Sequence, residues 1–170
     1  MTMAVTIRDM QPADSEAARA LIGKLQDYEA SLHARRLRWE IIADAYWAEL
    51  LSDVYTNDGF IYVAERNGKL IGVAAGWPDQ KKNLAADPSF WRFGYVQDLY
   101  VEEECRRQGV GRALMDVAER FFAGKGLDLI RLAVLAKNVT AMTFYEHAGM
   151  DRYLMHFTKR ISPPISPGLA

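Results

Sequence analysis

Apolar positions recur along the chain in two rhythms, one of about two residues and one of three to four, and together they divide it into strands and helices. Met3 to Arg8 alternates weakly and predicts a first strand. Gln11-Pro12-Ala13-Asp14 supplies helix-start chemistry. Ala17, Leu21 and Leu25 then fall at helical spacing, with Ala18 and Ile22 widening the stripe, so a helix is expected from about Ala13 to Ser31. Ile42, Tyr46, Leu50 and Val54 predict a second helix over Trp39 to Val54, stopped by Asn57-Asp58-Gly59. Phe60 to Glu65 and Lys69 to Gly76 are extended runs around Asn67-Gly68, a pair that favours positive φ at both turn positions, and they predict an antiparallel hairpin. The turn-rich, polar stretch from Trp77 to Phe90 reads as a surface loop, long enough to carry function.

Tyr95 to Val101 is rich in β-branched and aromatic residues and predicts a central strand. Val110, Leu114, Val117 and Phe121 mark one face of a helix that Gly124 and Gly126 end. Leu127 to Leu135 alternates as a buried strand. Asn138 is a natural N-cap for a helix whose Ala141, Phe144, Tyr145 and Ala148 share a face, and Gly149 stops it. Tyr153 to Lys159 reads as a last strand, and residues 162–170, with three prolines, as a flexible tail behind a single domain over 1–161. Strands alternating with helices, plus one hairpin, predict a mixed α/β layer structure, an α+β arrangement.

Composition narrows the function more than the fold. A chain of 170 residues, 50% hydrophobic, 25% charged and with a formal net charge of -1, is neither a nucleic-acid binder nor a disordered acidic partner. Its one cysteine, Cys105, cannot form an internal disulfide; with no signal-peptide pattern near Met1 and no apolar run of spanning length, the expected location is the cytoplasm, away from any membrane. His33, His147 and His156 are scattered without metal-ligand spacing, so no metal is expected.

The chemistry concentrates where the central strand ends. After Leu99-Tyr100-Val101 the chain turns through Glu102-Glu103-Glu104 and reaches Arg106-Arg107-Gln108-Gly109-Val110-Gly111-Arg112, the start of a helix. A helix start presents unpaired N–H groups and the positive end of the macrodipole, and glycines let the backbone close on a phosphate. Two glycines before a helix are also ordinary turn residues. The dinucleotide fingerprint needs a third glycine and the P-loop needs Gly-Lys-Ser/Thr, and neither is present.

Arg106-x-x-Gly109-x-Gly111 behind a Leu-Tyr-Val strand resembles the acyl-CoA motif of the GCN5-related N-acetyltransferase (GNAT) superfamily. Asn138, Ala141 and Phe144-Tyr145-x-x-x-Gly149-Met150 are similar to that family's second motif, with Met150 in place of its Phe. The resemblance implies a twisted, mostly antiparallel mixed sheet flanked by helices, whose two central parallel strands splay apart around the pantetheine arm of acetyl-CoA. It implies that Leu99, Tyr100 and Val101 line that arm, with the N–H of Val101 near the thioester carbonyl, and that Arg106, Arg107, Gln108, Gly109, Val110, Gly111 and Arg112 hold the pyrophosphate. Asn138 would bond the pantetheine or simply cap its own helix. A homodimer through the late strands is a further implication.

Acetyl transfer to an amine needs a neutral amine, a stabilised oxyanion and a proton for the departing thiolate. An alkyl ammonium with a pKa near ~10.4 must first lose a proton. By resemblance Tyr145 is the general acid; by its helical face alone it is a core residue. In relatives that acetylate polyamines a Glu-Asp pair occupies the central strand, where this chain has Gln97-Asp98. Strand alternation sets Asp98 opposite Gln97, which leaves it a weak candidate base beside a surface or structural role. Other candidates are a water chain ending on Gln97, a backbone carbonyl, or a group such as Glu29 or Glu40. The expected activity is therefore transfer of the acetyl group of acetyl-CoA to a primary amine, of a small molecule in the first reading and of a peptide or protein in the nearest variant. A non-catalytic acyl-CoA-binding module is the alternative that Gln97 keeps open, and a structural protein with turn glycines the third.

Overall fold

A computed structural model describes residues 4–159. In chain order it contains β1 (Thr6–Asp9), α1 (Ser15–Leu32), α2 (Trp39–Thr56), β2 (Phe60–Arg66), β3 (Lys69–Gln80), β4 (Arg92–Val101), α3 (Val110–Gly124), β5 (Ile130–Leu132) and α4 (Val139–His147). The five strands form one sheet in the order β1-β2-β3-β4-β5, antiparallel except for the last, parallel pair. Sheet, hairpin and helices agree with the mixed architecture expected from the sequence. Among the described residues no helix is long and apolar enough to cross a membrane.

The strands' alternation divides the core between two faces. On one, Leu114, Met115, Ala118 and Phe122 of α3 pack on Phe60, Ile71, Ala74 and Val96. A Cβ at Gly94 would sit 2.3 Å from the Phe122 ring, so this glycine lets the helix lie directly on β4. On the other face, Ala18, Leu21 and Ile22 of α1 and Trp47 and Leu50 of α2 cover Ile61, Val63, Val73 and Ala75. Burial of these side chains, at about 1.5–3 kcal/mol each, is what holds α1 and α2 over the far half of β4. The β2–β3 turn has both central residues at positive φ, 55° at Asn67 and 72° at Gly68, as its sequence requires.

Three stretches differ from the pattern-based expectation. Trp77 to Gln80 continue β3 and pair with Arg92 to Tyr95, so the loop is shorter, 81–91. Pro78 is tolerated because β2 has ended at the Phe60–Gly76 pair, leaving β3 with β4 as its one neighbour there. The fifth strand is three residues long, and Ala133 to Leu135 leave the sheet. Tyr153 to Lys159 form no strand: they alternate suitably but meet no ladder, and Phe157 stays 89% exposed. Residues 162–170, read as a tail, lie outside the described residues.

Candidate active site

The site begins where β4 and β5 part. Their pairing covers only Gly94–Ile130, Tyr95–Arg131 and Val96–Leu132. Beyond Val96, β4 runs on to Val101 with β3 on one side and no strand on the other. Glu102 N donates to Ile71 O at 2.9 Å, and ladder bonds alternate, so Leu99 and Val101 turn their N–H and C=O groups toward the open side. No strand pairs with this half-edge, and apart from Val101 O, which Arg106 Nε occupies at 3.0 Å, its groups are left open inside the protein. Tyr100 points to the opposite face, where its hydroxyl meets Glu102.

A bulge interrupts β4 just before this opening. Asp98 pairs with Ala75 and Val96 with Gly76, leaving Gln97 unmatched. The extra residue breaks the two-residue alternation, so Gln97 and Asp98 both reach the face covered by α1 and α2. The expectation that Asp98 points away from Gln97 is therefore corrected, and so is its placement at the surface, since Asp98 is 2% exposed. A signal was available in Gly76, a glycine inside a strand, where a Cβ would lie 2.4 Å from Tyr95 O.

Two helices supply the partners of Asp98. The Tyr46 hydroxyl of α2 lies 3.0 Å from each carboxylate oxygen, and Gln26 Nε2 of α1 donates to Oδ1 at 3.1 Å. Gln97 Nε2 and Gln26 Nε2 both donate to the Tyr46 oxygen, at 3.0 and 3.1 Å. Arg36, in the loop after α1, donates to Gln26 Oε1 at 3.2 Å and pairs with Glu29. Burial dominates the acidity of Asp98 and pushes it up to about 7, against the Tyr46 hydrogen bond that favours the charged form; Glu29 adds to the rise, and Arg36 and Gln26 oppose it. Sequence reading missed Gln26 and Tyr46 as site residues; Glu40, weighed there as a base, makes no hydrogen bond to this cluster.

Downstream, a turn at Glu103–Cys105 leads into the loop before α3. Arg107 has φ 57° and Gly109 φ 82°, and among the described residues the N–H groups of Arg107 to Arg112 find no acceptor. A run of unpaired amides at a helix start can cradle an anion. Arg106 is tied down, its Nε donating to Val101 O at 3.0 Å and its guanidinium over the Tyr100 ring. Arg112 turns along the helix to Asp116 at 2.7 Å, so its charge is largely neutralised rather than added to the cradle. Val110 is buried and anchors the helix start, while Gly111 faces Phe144 of α4, whose ring a Cβ would touch at 3.4 Å. Arg66, unforeseen, reaches from β2 to Gln108 Oε1 at 3.0 Å, and Gln108 Nε2 donates back to Glu104 O at 2.8 Å, which braces the loop.

The fourth helix closes the group. Asn138 is buried and its Oδ1 accepts from Ala141 N at 3.1 Å, so the capping role is realised while its side-chain NH2 bonds no described residue. Tyr145 packs edge-on against Phe144, and its hydroxyl makes no hydrogen bond to a described residue. Burial, reinforced by the negative charges of Asp98 and Glu29, holds that phenol well above its usual acidity range, so it is protonated at neutral pH.

A mixed sheet with this parted parallel pair is an N-acetyltransferase fold. An aminoglycoside N-acetyltransferase, AAC(6')-Iy, solved in complex with CoA, matches it with a TM-score of 0.69 at 18% identity, covering 95% of this chain and 98% of that one. Residues 24–150 match the acetyltransferase (GNAT) family, and the chain belongs to that family. Among curated relatives, an uncharacterized N-acetyltransferase of Methanocaldococcus jannaschii is 33% identical over 96 residues, 55% of this chain and 54% of the relative. The mycothiol acetyltransferase of Streptomyces bingchenggensis is 28% identical over 153 residues, 88% of this chain and 44% of the relative. The chain thus spans about half the length of these relatives.

Proposed function

We propose that the protein transfers the acetyl group of acetyl-CoA to a primary amine of a small molecule, by direct attack within a ternary complex. One observation carries this reading: a buried carboxylate, Asp98, and a partly buried phenol that stays protonated, Tyr145, are brought within each other's field beside the open edge of β4. The unpartnered N–H groups of Arg107 to Arg112, the positive φ of Gly109 and the half-edge at Leu99 and Val101 suit a ligand with a diphosphate at one end and amides along its arm. Acetyl-CoA would bring the thioester. Relatives with names such as mycothiol acetyltransferase and aminoglycoside N-acetyltransferase favour a small-molecule acceptor.

Each residue then has one task. Asp98, poised near neutrality, takes the proton from the ammonium so that the nitrogen can attack. The N–H of Val101, turned to the open side, stabilises the developing oxyanion. Tyr145 hands its proton to the thiolate as the carbon–sulfur bond breaks, giving free CoA thiol, and the excess proton on the nitrogen that has attacked restores the phenol. Asn138 offers its free amide to the pantetheine. The bulge favours an enzyme over a silent acyl-CoA-binding module, because it gives the site the carboxylate that Gln97 alone does not. Release of free CoA thiol is the test, with polyamines, aminoglycosides, amino acids and peptides as acceptors. Thiol release with a small amine is expected; tight acetyl-CoA binding with none released by any acceptor would establish the binding module instead.

A further inference from the structure

We propose that Tyr46 is the positioning residue of this site: gripped by Gln26 and Gln97, its hydroxyl holds the Asp98 carboxylate in one orientation and leaves Oδ2 to receive the proton of the amine. The inference rests on Asp98 being the base. A phenol has one hydrogen and two lone pairs. Gln26 Nε2 and Gln97 Nε2 both donate to the Tyr46 oxygen and occupy those lone pairs, so its hydrogen is left for the carboxylate, 3.0 Å from either oxygen. Oδ1 also receives Gln26 Nε2 at 3.1 Å, whereas Oδ2 has only its share of the hydroxyl hydrogen and keeps the more available lone pairs.

The amides are themselves constrained. Gln26 is buried, its Nε2 hydrogens go one each to Tyr46 and Asp98, and its Oε1 accepts from Arg36, which fixes which way the amide faces. Gln97, the residue that resemblance treats as a lost base, becomes the second clamp on Tyr46. Three elements distant in sequence therefore converge on one carboxylate, and Tyr46 joins them.

The charged and titratable groups facing Asp98 are Glu29 on α1, Arg36 in the following loop, Tyr46 on α2, Tyr95 on its own strand and Tyr145 on α4. Of these, Tyr46 makes the direct hydrogen bonds that favour the ionised form. Removing that donor favours the neutral acid, so the midpoint of Asp98 must rise.

Tyr46→Phe keeps the ring and deletes the hydroxyl. Carbon-13 NMR titration of the Asp98 carboxyl in ligand-free protein is expected to show its midpoint raised by about one pH unit, in keeping with a hydrogen bond to a charged group. The acid limb of kcat/KM should move by the same amount and kcat should fall about tenfold or more, with acetyl-CoA affinity within about twofold of the parent. Gln26→Met carries the test if Tyr46→Phe does not fold, with a smaller upward shift expected. An unmoved midpoint and acid limb in the variants, beside an Asp98→Asn that has lost turnover, would overturn the role of Tyr46 alone. Full turnover in Asp98→Asn would instead remove Asp98 as the base, and the proposed mechanism with it.

Discussion

The cradle before α3 and the cluster around Asp98 are built in opposite ways. The first is made of consecutive residues, Arg107 to Arg112, and works through backbone N–H groups that a helix start leaves unpaired wherever it occurs. The second draws on Gln26, Tyr46, Gln97 and Asp98, from two helices and a strand, and works through side chains that burial has changed. A local device announces itself as a motif. A non-local one depends on packing that no short string contains, and here even the direction of the key side chain turned on one unmatched residue in a ladder.

Substitutions in the two regions should separate accordingly. Asp98→Asn is expected to have the largest effect, lowering turnover by about 10²–10⁴ with acetyl-CoA binding kept. In the parent enzyme, activity should fall as pH drops below about 7, where Asp98 takes up its proton. Stability should behave in the reverse sense. Because the folded state holds that proton more tightly than the unfolded chain, stability falls as pH rises from about 4 toward 7, and Asp98→Asn should flatten this part of a thermal-melting series. A parent whose melting point is level across that window would refute the burial argument.

Tyr145→Phe comes next, with kcat lowered about 10–100-fold and acetyl-CoA affinity nearly unchanged, as stopped-flow binding and steady-state rates would report. Unchanged turnover would return Tyr145 to a packing role. Two glycines then set the regions directly against each other. Gly76→Ala pushes a Cβ to 2.4 Å from Tyr95 O, so it should cost about 1–3 kcal/mol in denaturant melts and, by disturbing the bulge, reduce turnover as well. Gly109→Ala meets no atom within 4 Å but strains a φ of 82°, at about 1–2 kcal/mol, and should weaken acetyl-CoA binding about tenfold in calorimetry with kcat little altered. Should Gly109→Ala damage kcat more than Gly76→Ala does, the division between a binding loop and a chemical cluster would fail. The smallest effect is expected from Arg112→Ala, within about threefold in acetyl-CoA affinity, because its guanidinium is already engaged by Asp116.

Read from the chain alone, the hairpin at Asn67-Gly68, the amphipathic stripes of α1 and α3, the Asn138 cap and the two-glycine helix start were all legible, because each is decided by residues within a turn or two of one another. What needed the folded sheet was every feature that depends on a neighbour in space. The extension of β3 past Pro78 requires knowing that β2 has stopped; the missing last strand requires knowing that no ladder awaits Tyr153 to Lys159. The facing of Asp98 requires the bulge opposite Gly76, and its poised acidity requires α1 and α2 to seal it from water. Periodicity reports which side chains prefer burial, but strand register and desolvation are properties of the pair, and only the tertiary structure supplies the second member.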